Sequence, residues 1–120
     1  MAKNLIFTDA NGLAVICTDP ATPASGDPVR YGEATGVALN AEEADGKTVV
    51  DFKLGKVWDL SVKGVDGVGN SAVAMGDKIY YVDADTPKLS KKATGRLFGF
   101  AMEAITSGST DTINVMKVLA

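Results

Sequence analysis

The spacing of turn-forming residues constrains the fold of this chain more than any other feature. Thirteen glycines interrupt the 120-residue sequence, and the chain has no long amphipathic helical stretch. Between the turns lie short runs rich in valine, isoleucine and aromatic residues, which favour strands. This pattern predicts an all-β domain with at most one or two helical turns, at Ala41–Asp45 and Ser71–Met75.

About eight or nine short strands are expected, a number and spacing that favour a compact β-sandwich or barrel-like fold. Three of the four prolines lie between Thr18 and Pro28. That segment is predicted to be a loop, since proline cannot donate a backbone hydrogen bond. The predicted strands are Leu13–Thr18, Val29–Tyr31, Thr35–Asn40, Thr48–Lys53, Lys56–Lys63, Lys78–Asp83, a short pairing near Leu89, Arg96–Ile105 and Thr112–Leu119.

The clearest alternation of apolar and polar residues lies in Lys56–Lys63. Trp58, Leu60 and Val62 fall on one face of this predicted strand, and mostly polar side chains fall on the other. Such alternation is typical of a strand with one buried and one solvated face. The break at Leu54–Gly55 predicts a hairpin that joins this strand to the preceding one.

Residues 1–12 carry a short apolar run between polar residues, ahead of the first predicted strand. Two interpretations stay open for this segment: an edge strand of the same domain, or an arm that adds a strand to a partner's sheet. The length suits one domain, so residues 13–120 are expected to form a single β-rich domain. As an arm, the segment would offer Lys3, Asn4, Leu5, Ile6 and Phe7 to the partner.

One phrase occurs twice, about 50 residues apart. Gly-Asp-x-[Val/Ile]-x-Tyr stands at Gly26–Tyr31 and at Gly76–Tyr81, and an Ala-Thr-Gly follows each copy, at Ala34–Gly36 and Ala93–Gly95. Glycine permits a positive φ and aspartate can accept from backbone amides, so the phrase predicts a turn that leads into a strand. Two similar β-units packed in one core would explain the repeat, and chance similarity of turns is the alternative.

The strand predicted at Arg96–Ile105 is apolar on both faces. One face is core-like and holds Phe98, Phe100 and Met102. The other holds the partner-binding candidates Leu97, Gly99 and Ala101. Glycine within a strand often marks a bulge or a close approach of another backbone. A second sheet or a neighbouring subunit is therefore expected to cover this smaller face.

Composition argues against most catalytic chemistry. The chain has no histidine, which removes the commonest general base and transition-metal ligand, and one cysteine, Cys17, which excludes an internal disulfide. A net charge of −3 offers no basic surplus for a nucleic-acid backbone. No apolar run is long enough for a membrane span. We expect a non-enzymatic protein with no cofactor and no metal.

Two motifs resemble binding sites without meeting their requirements. Asp83 and Asp85 resemble part of a calcium loop, but the sequence then turns basic instead of supplying more oxygen ligands. The glycine-rich stretch 64–70 lacks the lysine and the helix that a phosphate-binding loop needs. The favoured interpretation is a solvated turn for the first and a flexible loop for the second.

Taken in order, the strands resemble a known family. The sequence carries Gly-Asp-Pro-Val, Gly-Val-Ala-Leu, Val-Trp-Asp-Leu-x-Val-Lys-Gly, Gly-Asp-Lys-Ile-Tyr-Tyr-Val-Asp, Gly-Phe-Ala-Met-Glu and Val-Met-Lys-Val-Leu. This succession, from about Lys3 to Leu119, is similar to the small cement, or decoration, proteins of tailed-bacteriophage capsids. No single phrase is specific, and the order and spacing carry the resemblance.

The resemblance implies a structural virion protein, made in the host bacterial cytoplasm, that binds the outer capsid surface and cements neighbouring major capsid subunits. It implies a homo-oligomer, with a trimer favoured and a dimer as the alternative, and no catalytic residues. A second interpretation is a carbohydrate- or host-surface-binding β-sandwich module. That module would need clustered exposed aromatic side chains, for which the candidates are Tyr31, Trp58, Tyr80 and Tyr81.

Overall fold

The computed structural model describes residues 11–118 and confirms the all-β prediction for that range. Nine strands and no helix occur there; 41–45 is turn and coil, and 71–75 carries an isolated bridge between Val73 and Ile105. The strands are β1 (Asn11–Val15), β2 (Pro28–Tyr31), β3 (Ala34–Ala38), β4 (Thr48–Asp51), β5 (Val57–Lys63), β6 (Lys78–Tyr81), β7 (Leu89–Ser90), β8 (Arg96–Ala101) and β9 (Thr110–Lys117).

The strands form two sheets. The first is four-stranded and open, in the order β1-β4-β3-β2, and the second closes into a barrel in the order β5-β7-β6-β8-β9. All pairings are antiparallel except that between β5 and β7. The described strands therefore combine a sheet with a small barrel.

Both sheets repeat one chain path. In the first sheet the spatial order is β1-β4-β3-β2. In the second it is β5-β9-β8-β6, and β7 closes the barrel between β6 and β5. The strands β5, β6, β8 and β9 therefore correspond to β1, β2, β3 and β4. This order is that of a Greek key, with three hairpin-connected strands and one that returns beside them. We call residues 11–51 the first unit and residues 57–117 the second unit. The predicted internal repeat is thus confirmed as two units that share a four-stranded plan, to which the second unit adds β7.

The repeated Gly-Asp phrase makes the same backbone hydrogen bonds in both units. The Gly26 amide donates to the Ala38 carbonyl at 2.8 Å, and the Gly76 amide donates to the Ala101 carbonyl at 2.7 Å. The two glycines adopt positive φ values of 87° and 86°. A non-glycine residue is strained in this region, so each turn requires glycine at this position.

The aspartate of each phrase closes its own turn. Asp27 accepts from the Ala24 amide at 2.9 Å, and Asp77 accepts from the Ala74 amide at 2.8 Å. These bonds satisfy the amides of Ala24 and Ala74, which lie outside the strands. The Ala-x-Gly-Asp turn is therefore the same structure built twice.

Register shows which later residues correspond. Val29 lies opposite Gly36, and Ile79 lies opposite Gly99. Gly36 therefore corresponds to Gly99, and the Ala-Thr-Gly at 93–95, which precedes β8, is not the structural counterpart of the Ala-Thr-Gly at 34–36.

These two glycines meet the backbone of the next strand. A Cβ added at Gly36 would lie 2.8 Å from the Asp51 carbonyl oxygen, and one added at Gly99 would overlap the carbonyl of Met116. Real Cβ atoms do not come so close to a backbone oxygen. The close approach predicted for glycine in these strands is confirmed, and the chain's own neighbouring strand makes it.

The buried residues form two clusters that follow the same plan. The larger fills the barrel, and the smaller packs on one face of the first sheet. Each member of the smaller cluster has a counterpart in the larger, according to strand register. The smaller cluster contains Val15, Val29, Ala38 and Val50, and the counterparts are Leu60, Ile79, Ala101 and Val115.

Strand β3 joins the two clusters. Its Ala38 belongs to the smaller cluster, and its Val37, on the opposite face, belongs to the larger one. The Thr35 hydroxyl donates to the Leu97 carbonyl at 3.4 Å, which ties β3 to β8. The first sheet is consequently covered on both faces along this strand.

The hairpin predicted around Leu54–Gly55 is wrong. Strand β4 pairs with β1 and β3, whereas β5 pairs with β7 and β9, so the segment 52–56 links the two units. The Gly55 amide donates to the Lys117 carbonyl at 2.8 Å, which anchors the link to the last strand. A tight turn looks alike in sequence whether it closes a hairpin or ends a unit.

The predicted alternation along β8 is also corrected. Register shifts between Ile79 and Tyr80, where Phe98 forms an extra residue, and the strand ends at Ala101 rather than Ile105. Phe98 and Ala101 both lie in the barrel core, while Phe100 is half-buried and Met102 is exposed. A bulge reverses the face that each later residue occupies.

Candidate functional site

The polar side chains at the junction between the units are paired with one another. The Arg30 guanidinium donates to both carboxylate oxygens of Asp83, at 2.9 and 2.6 Å. This pairing lowers the pKa of Asp83 and raises that of Arg30. Arg30 lies on β2 and Asp83 follows β6, so the bidentate pair fixes one unit against the other.

A second polar group lies beside this pair. The Tyr81 hydroxyl donates to Asp19, and the Lys88 ammonium lies 3.0 Å from the same carboxylate. Lys88 also donates to the Asp83 carbonyl at 2.7 Å. Burial, then the hydrogen bond to Asp19, raises the pKa of Tyr81, so the phenol stays protonated and acts as a donor. Each of the two carboxylates at the junction, Asp19 and Asp83, therefore has a cationic partner.

The acidic residues that resembled a calcium loop are held by cations of the chain. Asp83 pairs with Arg30, and Asp85 pairs with Lys92 at 2.8 Å. Among residues 11–118, no group of three or more possible ligands is placed to hold a metal ion. The geometry agrees with the interpretation of this segment as a turn, now one that is tied down by ion pairs.

The glycine-rich stretch 64–70 is a tight loop. The Asp66 carboxylate accepts from the Val68 and Gly69 amides at 2.8 and 3.0 Å, which lowers its pKa. Val68, at the tip, is 99% exposed. The aspartate is therefore occupied by its own loop backbone.

The three partner-binding candidates on β8 differ in accessibility. Ala101 is 0% exposed and Gly99 is buried, whereas Leu97 is half-buried. The chain's own β6 and β9 flank β8 and account for the small residues. The other candidates, Lys3, Asn4, Leu5, Ile6 and Phe7, lie outside the described residues, and β1 begins at Asn11, two residues before the predicted Leu13.

Two surface grooves are large enough to take a small ligand. One, of about 310 Å³, lies between the loop 64–70 and the segment 85–92; the other, of about 350 Å³, lies between the loop after β1 and the outer face of β5 and β9. Neither groove is lined by an aromatic residue. Sugar rings are commonly held by stacking on aromatic faces, so neither groove favours the carbohydrate-binding interpretation.

The aromatic candidates are instead packed within the chain to different degrees, and Tyr80 is half-buried. Tyr81 is fully buried, and Trp58 packs against the barrel core. Tyr31 is exposed but packs edge-on against Phe52, with ring centroids 6.4 Å apart. The predicted core role of Trp58 and the alternation of Trp58 with Leu60 are confirmed.

Cys17 is half-buried against the smaller core cluster. Burial raises the pKa of its thiol, with a further contribution from Glu42. A thiol with a raised pKa is a poor nucleophile, which agrees with a packing role.

Among residues 11–118, the structure has no helix that could cross a membrane.

Sequence reasoning missed two exposed apolar residues at corresponding positions. Leu39 follows the alanine that ends β3, and Met102 follows the alanine that ends β8. They are 42% and 40% exposed. The signal was present in Val-Ala-Leu and Phe-Ala-Met, but aligning the two Ala-Thr-Gly phrases concealed the match.

Fold and surface together define a small duplicated β-protein whose two units are joined by cross-unit ion pairs. The sequence profile of the phage cement protein family matches residues 7–117, nearly the whole chain. The chain therefore belongs to the phage cement protein family, which assigns it a structural role at the phage capsid. Neither the search of curated proteins nor that of solved structures found a match.

Proposed function

We propose that the protein binds the outer surface of an assembled phage capsid and cements neighbouring major capsid subunits. The observation that carries the proposal is the family match, which includes both β-units. The net charge of −3 favours the outer surface, because packaged DNA repels an acidic protein. In this proposal the protein is made in the host bacterial cytoplasm and joins the virion there.

The duplicated architecture supports a cementing role. A chain with two similar units offers two contact surfaces in a fixed arrangement, so it can touch more than one subunit at once. Simultaneous contacts raise the apparent affinity by about 10²- to 10⁴-fold over a single contact when the geometry allows both. Bridging of this kind opposes separation of the subunits.

Co-sedimentation tests this function directly. The purified protein is mixed with capsids that lack it, and bound protein and particle survival on heating are measured. We expect saturable binding and survival to a higher temperature. Absence of binding to capsids, together with tight binding to a glycan array, would replace the cementing role with the carbohydrate-binding alternative.

We also propose that the protein acts as a homo-oligomer, with a trimer favoured over a dimer. Of the three β8 candidates, Leu97 retains side-chain surface for such a contact. Light scattering of the free protein at micromolar concentration gives its mass. A monomer in solution would restrict any oligomer to the capsid surface.

The N-terminal residues Lys3, Asn4, Leu5, Ile6 and Phe7 are proposed to contact the partner as an added strand. Deletion of residues 1–8 is the corresponding test. An arm predicts unchanged thermal unfolding and weaker capsid binding. Loss of folding would instead assign these residues to the domain itself.

A further inference from the structure

The two units present matching apolar projections to solvent. Leu39 and Met102 each follow the alanine that closes a repeated strand. Each donates its amide to the next strand: Leu39 to the Val49 carbonyl and Met102 to the Asn114 carbonyl, both at 2.8 Å. Equal backbone bonding and nearly equal exposure place the two side chains at the same position of the two units.

The repeated turn lies beside each projection. The second residue of the Ala-x-Gly-Asp turn is Ser25 in the first unit and Met75 in the second, and Met75 is 73% exposed. The Ser25 hydroxyl donates to the Leu39 carbonyl at 3.3 Å, so turn and projection adjoin. We call Ser25 with Leu39 the first ledge, and Met75 with Met102 the second ledge.

Acidic side chains border both ledges. Glu42 and Glu43 follow Leu39 by a few residues, and Glu103 follows Met102 directly; all three are exposed. Asp77 is balanced by Lys91, whose ammonium lies 3.3 Å away. At the first ledge the two glutamates outnumber Lys47, whose carbonyl accepts from the Glu43 amide at 2.9 Å; at the second, exposed Lys78, which follows Asp77, offsets Glu103. A surface complementary to both ledges would be apolar at its centre, with basic side chains on the part of its rim that faces the glutamates.

We propose that the two ledges bind the same site on two adjacent copies of the major capsid protein, an apolar depression with basic side chains on part of its rim. The inference rests on the proposed cementing function and specifies how one chain performs it. A surface built twice in one chain matches a partner present in identical copies at a fixed spacing, and a capsid shell supplies such copies. One chain would then bridge two subunits without a second copy of itself.

Site-directed photocrosslinking tests whether both ledges meet the same site. In a Cys17→Ala background, Ser25→Cys and Met75→Cys variants each carry a short benzophenone on the new thiol, and both are bound to capsids and irradiated. Mass spectrometry is expected to find the same capsid peptide attached to both. A Val68→Cys variant, labelled at the exposed loop tip, is the control and should not capture that peptide.

Affinity measurements give a second test. Leu39→Ser and Met102→Ser should each weaken capsid binding by about three- to tenfold, and the double variant by about the product of the two factors. Val68→Ser removes a similarly apolar, exposed side chain and should leave binding unchanged.

The outcomes separate the inference from the function on which it rests. Capture of different peptides, or full affinity in either single variant, overturns the two-ledge inference while cementing survives. Failure of the unaltered protein to sediment with capsids overturns both.

Discussion

At the scale of single residues, Gly36 and Gly99 explain why the chain uses glycine inside two strands. Each lies where the next strand passes so closely that no side chain fits. Sequence reasoning anticipated a close approach but left open whether a second sheet or another subunit would make it. The strand that covers Gly99, β9, starts 11 residues later in the chain, and local pattern does not reveal such pairing.

Gly99→Ala is predicted to destabilise the protein by about 2 to 3 kcal/mol, because the new methyl group collides with the Met116 carbonyl. Urea unfolding measures the change. Gly67→Ala is the matched control: its added Cβ has no atom within 4 Å, and its stability should change by less than about 1 kcal/mol. Equal effects in the two variants would contradict the close approach.

Lys117 is the second residue with a measurable consequence. Its side chain is 2% exposed, donates to the Val118 carbonyl at 2.6 Å and lies over the Phe98 ring. Burial lowers its pKa from 10.5 to about 8. By register, the corresponding position in the first unit is Phe52, an apolar residue packed against the smaller cluster.

Lys117→Met is predicted to stabilise the protein at pH 7 by about 1 to 3 kcal/mol, since the folded state no longer buries a charge. Between pH 8 and 10.5 the folded wild type loses this proton while the unfolded chain retains it, so wild-type stability rises with pH. The advantage of the variant should therefore shrink over that range. Urea unfolding at pH 7 and pH 10 checks it, with Lys47→Met as an exposed control. A destabilised variant at pH 7 would contradict the prediction.

At the scale of elements, the repeated turn has the same hydrogen-bonded structure in both units. It leads into β2 and β6 with the same positive-φ glycine and the same hydrogen bond from a backbone amide to the aspartate side chain. The strands that follow end differently, since β2 ends at the exposed Tyr31 and β6 at the buried Tyr81. Local chemistry of this kind is readable from sequence, because the residues that make it lie within four positions. The partners of each strand are not, and the erroneous hairpin at Leu54–Gly55 is an example.

Asp27→Ala and Asp77→Ala should each cost about 1 kcal/mol of stability, because each leaves one turn amide without its acceptor. Thermal or urea unfolding of both variants gives the comparison. Asp27→Asn and Asp77→Asn keep an oxygen acceptor and should recover most of the loss. A large effect at one turn with none at the other would show that the turns are not equivalent.

The junction marks the limit of sequence reasoning about the site. Tyr81 and Asp19 are 62 residues apart and Arg30 and Asp83 are 53 apart, yet each pair is hydrogen-bonded. Nothing in the spacing of these residues indicates that they meet. The alternation of Trp58, Leu60 and Val62, by contrast, identified a buried face correctly because burial of a strand face is a period-two property.

At the scale of the whole molecule, the two units share a plan but differ in core size. The barrel cluster contains twelve buried residues and the first-sheet cluster four. The free energy of local opening follows the buried apolar contacts that must be lost. The first sheet is therefore expected to open more readily than the barrel.

Hydrogen exchange at corresponding amides tests that difference. The Ala38 amide donates to the backbone carbonyl of Asp27, and the Ala101 amide donates to the backbone carbonyl of Asp77, both at 2.9 Å. The two hydrogen bonds are therefore matched. The Ala101 amide should exchange at least about tenfold more slowly, which corresponds to about 1.4 kcal/mol of opening free energy. Equal rates at the two amides would mean that both units open together.

The position of β3 between the clusters has a mechanical consequence. Val37 is packed in the barrel cluster, and Ala38 is packed in the first-sheet cluster. A force applied to the first unit is therefore transmitted to the barrel through β3, which is packed on both faces. The ion pairs of Arg30 and Lys88 resist sliding at the same seam. We therefore expect the two units to move as one rigid body rather than as two flexibly linked domains. A rigid body of this kind transmits strain between the surfaces to which its two units bind.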